Sequence, residues 1–131
     1  MDLSESKLSF IISAAVGEIN ERYSELFGIE ELAESLQVNK SYLIRRFKKE
    51  TGQTPGRYLQ SVRIGRAKEL LTHPGYSLEA IAALCGFSCA NYFCKAFKKE
   101  TGLTPTVYRY KIEGTVPIAI LKDEIDEIYV L

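Results

Sequence analysis

Phe47-Lys48-Lys49-Glu50-Thr51-Gly52-Gln53-Thr54-Pro55 returns fifty positions later as Phe97-Lys98-Lys99-Glu100-Thr101-Gly102-Leu103-Thr104-Pro105, with eight of the nine residues identical. Each copy reads as the basic end of one helix, a glycine stop, and a Thr-Pro start for the next. Two copies of one basic helical unit suit a periodic, negatively charged partner gripped at two places.

Around these copies the chain reads as all-α, with roughly seven helices. Residues 5–27 place Leu8, Ile11, Ile12, Ala15, Ile19, Tyr23 and Leu26 at helical spacing, with Gly28 as the expected stop. Residues 30–36 predict a short helix with an acidic first turn, and Gln37-Val38-Asn39 a break in which Asn39 caps a helix through Thr51. Thr54-Pro55 opens a helix over 56–71, where Leu59, Val62, Ala67, Leu70 and Leu71 share a face. After the turn cluster Thr72-His73-Pro74-Gly75-Tyr76, Ser77 caps a helix from Leu78 to Cys85, and Ser88 is the expected cap of a helix through Thr101. A last short helix follows Thr104-Pro105 and holds Val107, Tyr108 and Ile112.

Each half thus holds a short helix, a tight turn and a second helix, the helix-turn-helix pattern whose second helix enters the major groove. Leu32, Ala33, Leu36 and Val38 precede Tyr42, Leu43 and Phe47; Ile81, Ala82, Cys85 and Phe87 precede Tyr92, Phe93 and Phe97. The offset is 49 before the turn and 50 after it, so one turn is a residue longer. Two copies are too few to cap and stack as a solenoid.

The net charge of zero conceals three blocks. Residues 1–36 carry eight acids against Lys7 and Arg22; residues 37–112 carry fourteen Lys/Arg against Glu50, Glu69, Glu79 and Glu100; residues 113–131 carry five acids against Lys122. Polyanion binding follows the local field within a Debye length, so a neutral chain can carry a nucleic-acid face. With 131 residues and 46% hydrophobic composition, the chain fits one domain or two very small ones. It has no apolar run of membrane-spanning length and no signal-peptide pattern, and its three cysteines suit a reducing cytoplasm. No carboxylate pair, phosphate-binding glycine loop or nucleophile–base arrangement stands out, so no catalysis and no cofactor are expected. Cys85, Cys89 and Cys94 raise zinc or redox chemistry, but Cys85 falls on a core face and the single histidine, His73, lies in a loop.

The chain resembles the AraC/XylS family of bacterial transcription regulators. Ile81-Ala82, Gly86-Phe87, Tyr92-Phe93, Phe97-Lys98, Gly102, Thr104-Pro105 and Tyr108-Arg109 carry the likeness in the second half. Leu32-Ala33, Ser41-Tyr42-Leu43, Arg46-Phe47-Lys48, Gly52, Tyr58-Leu59, Arg63 and Arg66-Ala67 carry it in the first, and it spans about residues 8 to 112. The resemblance implies a helix-turn-helix subdomain over 5–55, a linker helix over 56–71, a second subdomain over 72–112, and an extension over 113–131. It implies two successive major grooves of double-stranded DNA read on one face. A linker of some 16 residues is roughly 24 Å long, and the flanking subdomains extend it toward the roughly 34 Å of a DNA turn.

By position, the first recognition helix presents Lys40, Ser41, Ile44 and Arg45 to base edges, and the second presents Ala90, Asn91, Cys94 and Lys95. Arg45 suits guanine, Asn91 adenine, Lys95 guanine or phosphate, and Ile44 a thymine methyl. The second set departs from the richer Gln/Arg pattern of some relatives, which implies weaker base readout. Arg46, Lys48, Lys49, Lys98 and Lys99 are assigned to phosphates. The expected molecule is a cytoplasmic monomer or weak dimer, a stand-alone regulator or part of a longer one, with RNA polymerase as a second partner and no membrane. The alternative is a module that keeps the fold and binds a protein through its acidic flanks. The stretch 116–121 is strand-like and Ile125, Ile128, Tyr129, Val130 and Leu131 are apolar, which fits packing or pairing of the extension.

Overall fold

A computed structural model describes residues 3–26 and 28–114, with side chains from Phe10 onward. Among the described residues there are seven helices and no strand: α1 (Leu3–Arg22), α2 (Ile29–Ser35), α3 (Lys40–Thr51), α4 (Pro55–Leu71), α5 (Leu78–Cys85), α6 (Ala90–Thr101) and α7 (Pro105–Glu113). The extension from residue 115, with its strand-like stretch, and the side chain of Leu8 lie outside them. The chain divides into two compact units, one up to Arg63 and one from Ile64, and the division falls within α4.

The first unit buries Ile12, Ala15 and Ile19 of α1 against Leu32 and Ala33 of α2 and Leu43 and Phe47 of α3. The second buries Leu70 and Leu71 of α4 against Ile81, Ala82 and Cys85 of α5 and Phe93 and Phe97 of α6. Leu43, Phe47 and Cys85 therefore face the core as their spacing predicts, and His73 is exposed in its loop.

The repeated nonapeptide is a helix stop built identically twice. Phe47 and Phe97 are fully buried. The hydroxyl of Thr51 donates to the Phe47 carbonyl at 2.7 Å and accepts from the Gln53 amide at 3.3 Å; Thr101 does the same with Phe97 at 2.8 Å and Leu103 at 3.1 Å. Gly52 (φ 85°) and Gly102 (φ 82°) take the left-handed conformation that ends each helix at little steric cost. Thr54 and Thr104 then accept from Arg57 and Val107 amides, both at 3.2 Å, and open α4 and α7. Tyr58 returns onto Phe47 and Tyr108 onto Phe97, with ring centroids 5.7 and 5.3 Å apart.

The turns match as well. Val38 donates to the Ala33 carbonyl at 3.0 Å and Phe87 to Ala82 at 2.9 Å, and each bond closes over one left-handed residue. That residue is Gly86 (φ 92°) in the second unit but Gln37 (φ 57°) in the first, a conformation that strains a side-chain-bearing residue. Two expectations are corrected. α1 stops at Arg22, with Tyr23 and Leu26 in the turn beyond, and Gly28 is extended at the start of α2 rather than a helix stop. Leu26 is buried there, so a turn residue had joined the apolar pattern of a helix. The cap of α6 is Cys89, not Ser88: its sulfur accepts from the Tyr92 amide at 3.5 Å.

Two arginines close the units. Arg63 donates from Nε to the Tyr23 carbonyl (2.8 Å) and from Nη2 to that of Leu26 (2.6 Å), tying α4 to the chain that leaves α1. Arg109 donates to the carbonyls of Leu71 (3.1 Å), His73 (3.3 Å) and Tyr76 (2.8 Å), tying α7 to the chain that leaves α4. In each unit a guanidinium satisfies carbonyls past a helix end and fixes the approach to the helix-turn-helix.

Candidate nucleic-acid interface

The face of α3 opposite its core side is cationic. Asn39 starts it, its side-chain oxygen accepting from the amides of Ser41 (2.8 Å) and Tyr42 (3.2 Å), as an N-cap asparagine does. Ser41, Arg45, Lys48 and Lys49 are exposed; Ile44 and Arg46 are half-buried. Arg45, Arg46 and Lys49 come together with Tyr42 around one shallow concavity, so a base-reading candidate and two phosphate candidates share a surface. Two of the expected contacts already hold carboxylates: Lys40 Nζ lies 3.0 Å from Glu30, and Arg46 Nε lies 2.9 Å from Glu50. Arg45, Lys48 and Lys49 make no ion pair among the described residues.

The face of α6 is sparser. Asn91, Lys95 and Lys99 are exposed, while Ala90 is half-buried. Cys94 is half-buried and packs against the core of its unit, so its thiol offers less to a groove than its neighbours do. Lys98 also differs from its repeat partner Lys48: its Nζ is shielded from solvent and has no hydrogen-bond partner among the described residues. Tyr92, half-exposed at 51%, leans on Phe87 with ring centroids 5.8 Å apart. The eight base-contacting candidates thus fall four to each unit, with the arginine and most of the free charge in the first.

Sequence reasoning missed the roles of Arg63 and Arg109, whose charge placed them in the basic block while their guanidinium groups serve backbone carbonyls. It also missed Cys89, although the offset of 50 from Asn39 points to it. Among the described residues no group of three His, Cys, Asp or Glu side chains is placed to hold a metal, and no single helix is long and apolar enough to cross a membrane.

A family model described as a helix-turn-helix domain matches residues 32–111. The chain is 37% identical over 75 residues to the HTH-type transcriptional activator RhaS of Salmonella schwarzengrund, a match covering 57% of this chain and 27% of that protein. The chain therefore spans less than a third of that relative's length. Among solved structures, the C-terminal domain of AraT, a response regulator of Geobacillus stearothermophilus, superposes with a TM-score of 0.74 at 34% identity, covering 77% of this chain and 84% of that one. The DNA-binding domain of AdpA, a transcription factor solved with a target DNA, gives 0.66 at 28% identity, covering 81% and 94%. With two helix-turn-helix units in the structure and the family match across both, the chain belongs to the AraC-type family of helix-turn-helix DNA-binding domains.

Proposed function

We propose that this chain is the sequence-specific DNA-binding part of a transcription regulator, reading double-stranded DNA with α3 and α6 in two major grooves. The observation that carries the reading is the repeated helix stop: the same scaffold twice sets an exposed polar helix face beside a basic helix end. Arg45 reads guanine through its two-pronged guanidinium, Asn91 reads adenine, and Ser41, Ile44, Lys95 and Ala90 complete the two faces. Lys40 joins the base-reading face when it leaves Glu30. Lys48, Lys49 and Lys99 anchor phosphates, joined by Arg46 when it leaves its carboxylate; Lys98 joins if its ammonium turns outward. Residues 5–55 and 72–112 act as the two reading subdomains and 56–71 as their spacer.

Because one chain carries both units, it binds as a monomer or weak dimer, a property that sedimentation of the DNA complex measures. The activator named above is a longer protein, and a contact with RNA polymerase is proposed for this chain by extension, to be tested by retention of polymerase on DNA bearing the selected site. Repeated selection of bound duplexes from a random pool, followed by mobility shift, tests the central reading. Two unlike half-sites are expected, with a guanine required in one of them. Failure to enrich any sequence, with binding at no duplex, would overturn it.

A further inference from the structure

Tyr42 is half-buried on α3 and lines a concavity of about 230 Å³ with Arg45, Arg46 and Lys49. At about 100° of turn per residue, Tyr42, Arg46 and Lys49 lie within about 60° of one another on one flank of Arg45, with Ser41 and Lys48 on the other. The Tyr42 hydroxyl makes no hydrogen bond among the described residues, whereas that of Tyr58, also half-buried, accepts from Asn20 at 3.1 Å. Beside it, Arg46 Nε lies 2.9 Å from Glu50, and Lys49 makes no ion pair among the described residues. A phenol O–H without a partner, set between two cations, is placed to donate to an anion. The second unit keeps part of this set. Tyr92 and Lys99 repeat Tyr42 and Lys49, but the buried Ala96 stands where Arg46 does, and the Tyr92 ring leans on Phe87.

A helix about 10–12 Å across fills a major groove about 12 Å wide, so its outermost residue meets base edges and its flanks meet the phosphate walls. Arg45 is that outermost residue, and Tyr42 faces one wall. We propose that Tyr42 is a phosphate-binding residue, whose hydroxyl donates to a backbone oxygen of the first half-site in the concavity that Arg46 and Lys49 make positive. The inference rests on α3 being a recognition helix. The cations supply the attraction and release counterions; the neutral hydroxyl adds a directional bond and releases none.

The full chain, Tyr42→Phe and Lys49→Ala are compared by fluorescence anisotropy on the selected duplex and on its single-base variants. Tyr42→Phe is expected to weaken binding about fivefold on every one of them, as the loss of one hydrogen bond to a charged group requires. Its salt slope and its melting temperature stay those of the parent, while Lys49→Ala makes the slope shallower by about 0.9. Neutral methylphosphonates are then placed one at a time along the first half-site, and at one position Tyr42→Phe should cause no further loss. Binding equal to the parent's, a loss confined to some base sequences, a lowered melting temperature, or a loss that persists at every methylphosphonate position would overturn the proposal. A parent chain that binds no duplex would instead overturn the DNA reading itself.

Discussion

Cys89 starts α6 through a sulfur that accepts from the Tyr92 amide at 3.5 Å, where Asn39 starts α3 through an oxygen that accepts at 2.8 Å. Sulfur is the weaker acceptor, so Cys89→Ser is expected to stabilise the second unit by about 0.5–1 kcal/mol, while Ser88→Ala stays within about 0.5 kcal/mol. Thermal unfolding of the two variants checks which residue is the cap. Asn39, Ser77 and Thr104 were legible as caps because their oxygens are common at helix starts; a cysteine carries no such signal, and only the repeat offset betrays it. Arg45 belongs to the same scale. It is exposed and without an ion pair among the described residues, so it is available to a base edge. Arg45→Ala should relax base preference at one position of the first half-site by about 1–3 kcal/mol, read by competition among single-base variants of the duplex. A uniform loss on every sequence would place Arg45 on phosphate. The shielding of Lys98 and the pairing of Lys40 and Arg46 were not legible, because both depend on where the ends of long side chains settle, and spacing along a helix says nothing of that.

Between elements, α1 and α2 are joined by a polar network as well as by their apolar faces. The Ser35 hydroxyl donates to Glu18, and Arg22 bonds both Glu18 (2.7 Å) and Glu31 (2.8 Å). The Ser35 bond, with that of Arg22, holds the Glu18 carboxyl below its ordinary value of 4.5 against the opposing effect of partial burial. A depressed carboxylate contributes stability above its unfolded value and loses it as pH falls through the folded one. Ser35→Ala should therefore destabilise the chain at neutral pH, and the difference from the parent should shrink as pH drops below 4.5. Chemical denaturation across that range measures it, and a difference independent of pH would argue against the network. Helix existence was legible almost everywhere, since apolar spacing, capping oxygens and Gly or Thr-Pro punctuation agreed. The end of α1 was not: Tyr23 and Leu26 continue its apolar spacing, yet the chain turns after Arg22 and Leu26 is buried from a turn. The arginine ties from Arg63 and Arg109 also escaped, because they stand 46 residues apart and do not follow the repeat.

For the whole molecule, the zero net charge is the least informative number and the distribution the most useful. Each unit has its own apolar core, so neither depends on polyanion binding to bury its hydrophobic side chains. Besides the base-facing Arg45 and Lys95, four exposed cations on α3, the start of α4 and α6 (Lys48, Lys49, Arg57 and Lys99) make no ion pair among the described residues. Arg46 brings the phosphate set to five if it exchanges its carboxylate for a phosphate, and Lys98 to six if its ammonium turns outward. The salt dependence of binding reads that number directly. Affinity of the full chain for its selected duplex, measured between about 50 and 200 mM salt, should fall with a log–log slope of about −5 to −7, as six to eight phosphate contacts require. A slope near zero would contradict the account.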